Sequence, residues 1–276
     1  MHLGKIPIIQ NKFYNSDSVF TVANLLREAM RQKKIKKANI PEFCVLDPDG
    51  DLTEYLLKHN LAEENTTWCC YHTKLYVFKI GDFSVGIIPF VVGASFAVLV
   101  AEEVYCLGCK LMFLLTSSGK LTDKQLHGNF YLIEKAIRDE GVSYHYLAPS
   151  TYSYMNERLL NVFKNHIMFK DKECFAVSWT TDAPFRETTE SINAAVEMGA
   201  DLVEMEAAGL YAFAETANQY LVCIAHVTNE MGQTENDFEK GDNNGSNAAM
   251  NILDKIIKIF VEEKAQLEMR IIYTHN

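Results

Sequence analysis

The chain is short of residues that break regular structure. It carries 6 prolines and 14 glycines in 276 residues, too few for a collagen-like or low-complexity protein. Long apolar runs are also missing. None approaches the roughly 20 residues that cross a bilayer, so no membrane partner is expected. The opening Met1-His2-Leu3-Gly4-Lys5 has no basic segment leading into an apolar one, as a secretory signal would. A cytoplasmic protein is expected. Positive charge is in deficit: 26 Lys and Arg face 36 Asp and Glu, for a formal net charge of -10. Nucleic-acid affinity rests largely on neutralising phosphates, so no nucleic-acid partner is expected. The run Lys33-Lys34-Ile35-Lys36-Lys37 reads as a solvated helix end, where cations favour the dipole. Seven cysteines, an odd number, suit reduced thiols better than a disulfide framework. Cys106 and Cys109 form a CxxC with no second CxxC and no nearby His pair. They read as buried small hydrophobes, and no metal is expected.

What is present is ordinary globular material, 48% hydrophobic and 22% charged. That is enough for a substantial core. Residues 1–16 look irregular. Residues 21–34 read as an amphipathic helix with Val22, Leu25, Leu26, Ala29 and Met30 on one face. Strand-like runs follow at 42–46, 69–80, 83–92, 110–115, 174–179, 201–203 and 220–227, with Gly81-Asp82 as a hairpin turn. Helical patterns fall at 52–58, 96–107, 189–199, 207–218 and 247–264. Residues 129–137 fit either state, and 228–247 read as a long loop. Strands alternating with helices imply one three-layer α/β/α sandwich on a largely parallel sheet. The division is a helical extension over 1–40 and a single α/β domain over 41–276.

In such sheets ligands bind beyond the carboxyl ends of the strands. This chain places polar turns there: Thr116-Ser117-Ser118-Gly119, Thr180-Thr181-Asp182, Glu204-Met205-Glu206 and Thr228-Asn229-Glu230. Each alone reads equally as a turn or a helix cap. The two glutamates flanking Met205 stand out. Alternate strand residues point the same way, and paired carboxylates suit the two hydroxyls of a vicinal diol. Capping of the following helix is the competing reading.

The string Val203-Glu204-Met205-Glu206-Ala207-Ala208-Gly209-Leu210-Tyr211 resembles the ribose-binding strand and helix of the purine nucleoside and uridine phosphorylase superfamily. Asp47-Pro48-Asp49-Gly50 and Ser117-Ser118-Gly119 resemble its two phosphate loops. The segment from Ala136 to Gly141, followed by Ser143-Tyr144-His145-Tyr146, is similar to one in uridine phosphorylase-like members. Thr180-Thr181-Asp182-Ala183-Pro184-Phe185-Arg186-Glu187 resembles the base-side loop. The resemblance implies a mixed sheet, a homo-oligomer and cleavage of a nucleoside N-glycosidic bond. Glu206 and Asn229 are then the catalytic candidates. Glu204, Met205 and Glu206 would hold the ribose. Thr181, Asp182, Phe185, Arg186 and Asn229 would face the base. Asp47, Gly50, His72, Thr116, Ser117, Ser118 and Gly119 would form the phosphate or nucleophile site. No cofactor is implied beyond phosphate as a co-substrate, and the partner is a small-molecule nucleoside.

The departures from the pattern are as informative. The family has Arg after the first loop's Gly, where this chain has Asp51. The Arg before the second loop is replaced by Leu114, and near residues 70–73 the only candidate cation is His72. Phosphorolysis to base and pentose 1-phosphate, with an unusual anion site, is the expected reaction; hydrolysis with water as the nucleophile and ligand binding without turnover are the alternatives. His145 and His226 read equally as structural or as site residues.

Overall fold

The computed structural model describes residues 6–122, 129–166, 169, 174–231, 235 and 237–263. The first helix forms where its caps dictate. Thr21 accepts a side-chain hydrogen bond from Asn24 N at 3.3 Å, and α1 (Val22–Lys33) ends on Lys34 in the left-handed conformation. After it come β1 (Phe43–Asp47), α2 (Asp51–Lys58), β2 (Ala62–Glu64), β3 (Tyr76–Ile80), β4 (Phe83–Pro89) and α3 (Ala94–Cys106). The middle of the chain gives β5 (Leu111–Lys120), β6 (Phe130–Asp139), α4 (Ser143–Tyr146), β7 (Tyr152–Tyr154) and α5 (Glu157–Asn165). The last third gives β8 (Phe175–Thr181), α6 (Thr189–Glu197), β9 (Leu202–Glu204), α7 (Ala207–Thr216), β10 (Tyr220–Asn229) and α8 (Ser246–Glu262).

The strands make one mixed sheet. β1 lies parallel between β4 and β5. β5 continues in parallel to β10, which turns antiparallel to β6. β6 runs parallel to β8, and β8 to β9. β9 then pairs back on β5, antiparallel, at Gly119↔Val203 and Lys120↔Leu202. The far half of the sheet is thus a closed ring, β5-β10-β6-β8-β9, and only the other end is open, with β3 and β2 added antiparallel. The sheet is less parallel than the alternation of elements suggests, because β6, β8 and β9 run against β10 and β5.

The closure explains why β5 is longer than its apolar run. Its first half, Leu111–Leu114, pairs with β1, and its polar end carries the pairing to β9. Thr116-Ser117-Ser118-Gly119 is therefore strand, where a turn was expected. Gly119 sits at the crossing; a Cβ there would lie 2.7 Å from Met231 Sδ and 3.1 Å from Asn229 Oδ1.

Helices cover the sheet. The residues Ala207–Ala214 of α7 are all buried, and α7 packs on α3. On α3 itself Ala97, Val98, Val100, Ala101 and Val104 face the core, and Leu99 is the exposed large apolar side chain. On α8 the residues Leu253, Ile256, Ile257 and Phe260 are buried. α1 makes a smaller cluster of its own from Leu26, Ala29, Ala38 and Cys69.

Several local expectations need correcting. Residues 69–75 are irregular rather than strand, because Cys69, Cys70 and Leu75 are buried under α1 and the sheet edge without a pairing partner strand. Residues 130–139 resolve to strand β6. Cys106 is exposed at the end of α3, whereas Cys109 is buried; all seven cysteines are free thiols. The short pieces α4 and β7 carry weak patterns, whereas α5 is a strongly amphipathic helix that the sequence reading left out; it is set by Asn156, whose side chain accepts from Arg158 N and Leu159 N.

Candidate active site

The carboxyl ends of β5, β9 and β10 open on one cleft of about 430 Å³. Its wall includes Ser117, Ser118 and Gly119 from β5, Val203 and Glu204 from β9, then Met205, and Thr228 and Asn229 from β10. Pro184, Phe185 and Glu187 from the turn after β8 close one side, and Phe238, Lys240 and Asp49 another. The loops that resemble the ribose, base and phosphate segments of one family therefore do meet in space.

The two glutamates have different environments. Glu204 is buried and accepts four hydrogen bonds: Ser178 Oγ at 2.8 Å, Thr180 Oγ1 at 2.5 Å, Glu206 N at 2.6 Å and Ala207 N at 2.7 Å. A carboxylate offers about four lone-pair sites, so Glu204 is filled by the protein. It caps α7, the competing reading of its sequence. Thr180 Oγ1 also accepts from Ala208 N at 3.0 Å, which locks strand end to helix start. Glu206 is buried too, and accepts from Gly93 N at 2.7 Å and Thr116 Oγ1 at 2.9 Å, with the Met205 backbone as a further partner. It lies behind the cleft surface, which Met205 and Glu204 form. Burial, and then the neighbouring charge of Glu204, pushes the Glu206 carboxyl up to about 8. Burial likewise raises Glu204.

The second half of the site centres on Asp49. It accepts from Ser117 Oγ and pairs with Lys240 Nζ at 3.1 Å. The same ammonium binds Asp51 at 2.5 Å, and Asn244 Nδ2 donates to the other Asp51 oxygen at 2.9 Å. Burial disfavours the Lys240 charge, but the hydrogen bonds and charges of Asp51 and Asp49 hold its pKa above the ordinary lysine value. Asp47 lies deeper, where Thr53 donates to its Oδ2 from N at 2.8 Å and from Oγ1 at 2.7 Å. Burial raises Asp47 to about 7 against the pull of those two bonds. Gly50 caps α2 at a φ of 80°. Its open Cα face is covered by Phe90, whose ring would lie 2.3 Å from a Cβ there.

Asn229 is oriented by its neighbours. Its Oδ1 accepts from Met231 N at 2.9 Å, and its Nδ2 donates to Thr228 Oγ1 at 3.2 Å. One amide hydrogen remains for a ligand. Phe185 is almost fully exposed at the cleft mouth. Arg186 is exposed and off the cleft wall. Thr181 is buried and accepts from Ala183 N at 3.2 Å, and Asp182 accepts from Gly141 N at 2.8 Å. Those two build the turn and do not line the cleft. His72 is exposed and lines a separate depression with Trp68, Tyr71 and Phe90. His145 is exposed beside Lys12 Nζ, at 3.0 Å. His226 is buried and stacks on Phe130 at 4.2 Å.

Asp49, Met231 and Phe238 line the cleft without having been assigned a role from sequence, and so do two charged residues from elsewhere in the chain. Lys240 comes from a stretch read only as loop, 189 positions beyond Asp51. Glu187 stands in the base-side string without an assigned role; it is half-buried, lines the cleft, and burial raises its carboxyl above the usual range. Among the described residues no group of His, Cys, Asp and Glu has the arrangement to hold a metal ion. No helix of the described residues is long and apolar enough to cross a membrane.

With this geometry in view, the comparisons with known proteins agree. The family model described as the phosphorylase superfamily matches residues 42–258. The chain belongs to that superfamily. Among solved structures it is similar to an AMP nucleosidase from Bacteroides thetaiotaomicron, at 18% identity and a TM-score of 0.64, covering 81% of this chain and 91% of that one. A uridine phosphorylase from Vibrio fischeri is similar at 19% identity and a TM-score of 0.64, covering 81% and 96%. A 5'-methylthioadenosine/S-adenosyl homocysteine nucleosidase from Campylobacter jejuni is similar at 14% identity and a TM-score of 0.61, covering 79% and 99%. No curated protein sequence matches significantly. The superfamily contains both phosphorylases and nucleosidases, and the fold supports an enzyme acting on nucleosides.

Proposed function

We propose that this chain cleaves the N-glycosidic bond of a nucleoside with water as the nucleophile. The observation that carries this reading is the Asp49–Lys240–Asp51 cluster beside Ser117. A phosphorolytic enzyme needs cationic forks at this position for a phosphate dianion. Here one ammonium is shared by two carboxylates, and the Ser117 hydroxyl is already engaged by Asp49. The cluster keeps a net negative charge, which repels a dianion and favours a neutral nucleophile.

In this reading Met205 lies under the sugar, and Glu206, buried behind it, holds that wall in place through Gly93 N and Thr116 Oγ1. Asp49, on the cleft wall, takes the proton of the attacking water. Asn229 hydrogen-bonds the departing base through its remaining amide hydrogen, and Phe185 covers it; the base leaves with the bonding electron pair and takes its proton from solvent, to which Asp49 returns the proton of the water. Glu187 accepts from a ring N–H. Charge separation in the breaking bond is met by these fixed dipoles.

The test is a nucleoside panel incubated with and without phosphate. Free base and free pentose in phosphate-free buffer are expected. Pentose 1-phosphate formed only with phosphate would overturn the choice of water. A ligand-dependent rise in Tm with no turnover under either condition would make the protein a binder.

A further inference from the structure

Behind the cleft lies a second, much smaller cavity of about 20 Å³. It shares Asp49 and Ser117 with the cleft and is otherwise walled by Asp47, Asp51, Thr116, Phe130, His226, Asn244, Ser246 and apolar neighbours. Two of its wall residues carry a buried polar atom with no partner among the described residues: Nε2 of His226 and Oγ of Ser246. His226 is 5% exposed and Ser246 is 1% exposed. Protein interiors seldom leave such atoms unpaired, because the lost hydration costs free energy. Chain geometry keeps both in place. Phe130 stacks on the imidazole with an interplanar angle of 7°. Gly245 presents its bare Cα to the Cε1–Nε2 edge, where a Cβ would lie 2.6 Å from Cε1. Ser246 is the first residue of α8, tied to that glycine.

We propose that this cavity is a built site for one water molecule, which bridges His226 Nε2 and Ser246 Oγ and ties them to the Asp47 side of the wall. The space suffices, since about 10–15 Å³ by this measure holds one water. The partners suffice as well: a buried water needs two to four. Both Thr53 bonds to Asp47 fall on Oδ2, which leaves Oδ1 as the third anchor. Water suits both orphan atoms whichever tautomer the imidazole holds, because it donates and accepts. An anion is disfavoured by Asp47, Asp49 and Asp51 on the cavity wall, and the charges facing the ring are Lys240, Asp51 and Asp49. The bound water makes the back wall of the cleft rigid without occupying the cleft.

The experiment uses the whole chain and no nucleoside, so its outcome is independent of the proposed reaction. A high-resolution crystal structure should show one water peak within hydrogen-bond distance of both orphan atoms. In parallel, the His226 ring-nitrogen signal is followed by NMR, assigned by its loss in His226→Gln. Ser246→Ala should shift that signal and Ser246→Thr should restore it. An empty cavity, a direct His226–Ser246 bond, or a signal unmoved by Ser246→Ala overturns the proposal. If Ser246→Ala does not fold, the wild-type density decides alone.

Discussion

At the scale of single residues the site is a set of carboxylates, from buried Glu204, Glu206 and Asp47 to exposed Asp49, each in a different state of satisfaction. Glu206 accepts from Gly93, Thr116 and the Met205 backbone and has a carboxyl pushed up to about 8. A raised folded-state pKa means the folded protein holds a proton that the unfolded chain releases. Its contribution to stability is therefore full below the ordinary value of 4.5 and is lost as pH rises towards 8. Glu206→Gln removes that titration. The Tm of the variant minus that of the wild type should rise steadily from pH 5 to pH 9 in thermal scans. A flat difference would mean the carboxyl titrates normally. Asp49 tests the chemistry instead. Loss of a general base typically costs 10²–10⁴-fold in rate. Asp49→Asn should lower kcat by about 100-fold or more, while nucleoside Kd by calorimetry changes by only a few fold. Unaltered kcat would remove Asp49 from the mechanism.

At the scale of elements, the strand ends and helix starts do the positioning. β9 passes into α7 through Glu204, which accepts from Glu206 N and Ala207 N and so fixes the short Met205-Glu206 connection between strand and helix. Close packing on α7 requires Gly209. A Cβ there would lie 2.4 Å from Val142 Cγ1 and 2.9 Å from Ala94 Cβ. Ala94 begins α3 and follows Gly93, whose N–H holds Glu206. Gly209→Ala should cost about 1–3 kcal/mol as an overpacking change, read as a lower urea midpoint at an unchanged slope. It should also weaken nucleoside binding, because α3 carries one tether of Glu206. A neutral effect on both would show that the helices separate without cost. The same elements show what the sequence could reveal. The continuous apolar strands and the amphipathic faces of α1 and α8 were legible, since burial sets their pattern. The Glu-Met-Glu string was legible too. The division of labour inside it was not, because Glu204 is saturated by Ser178 and Thr180, residues about 25 positions away. Lys240 was invisible for the same reason: nothing local in a polar stretch marks which lysine folds back onto Asp49 and Asp51.

At the scale of the whole molecule, a closed strand ring fixes the cleft and an N-terminal extension packs its helix against α3. The family match begins at residue 42, yet α1 buries Leu26 and Ala29 against Cys69 and Ala38. That cluster makes α1 a working part of the domain, with residues 6–20 as a looser strap. The strap is held by hydrogen bonds on exposed groups, Lys12 Nζ to His145 at 3.0 Å and Tyr14 OH to Tyr144 O at 3.3 Å. Its Phe13, Val19 and Phe20 stay exposed. Such contacts contribute little, whereas a fully buried leucine contributes about 1.5–3 kcal/mol. Two truncations separate these roles. Removing residues 1–20 should leave the guanidinium midpoint within error of the full chain. Removing residues 1–40 should destabilise it by about 2 kcal/mol or more and expose Cys69 to thiol reagents. If both truncations behave alike, the cooperative unit begins at the first strand and α1 is an appendage.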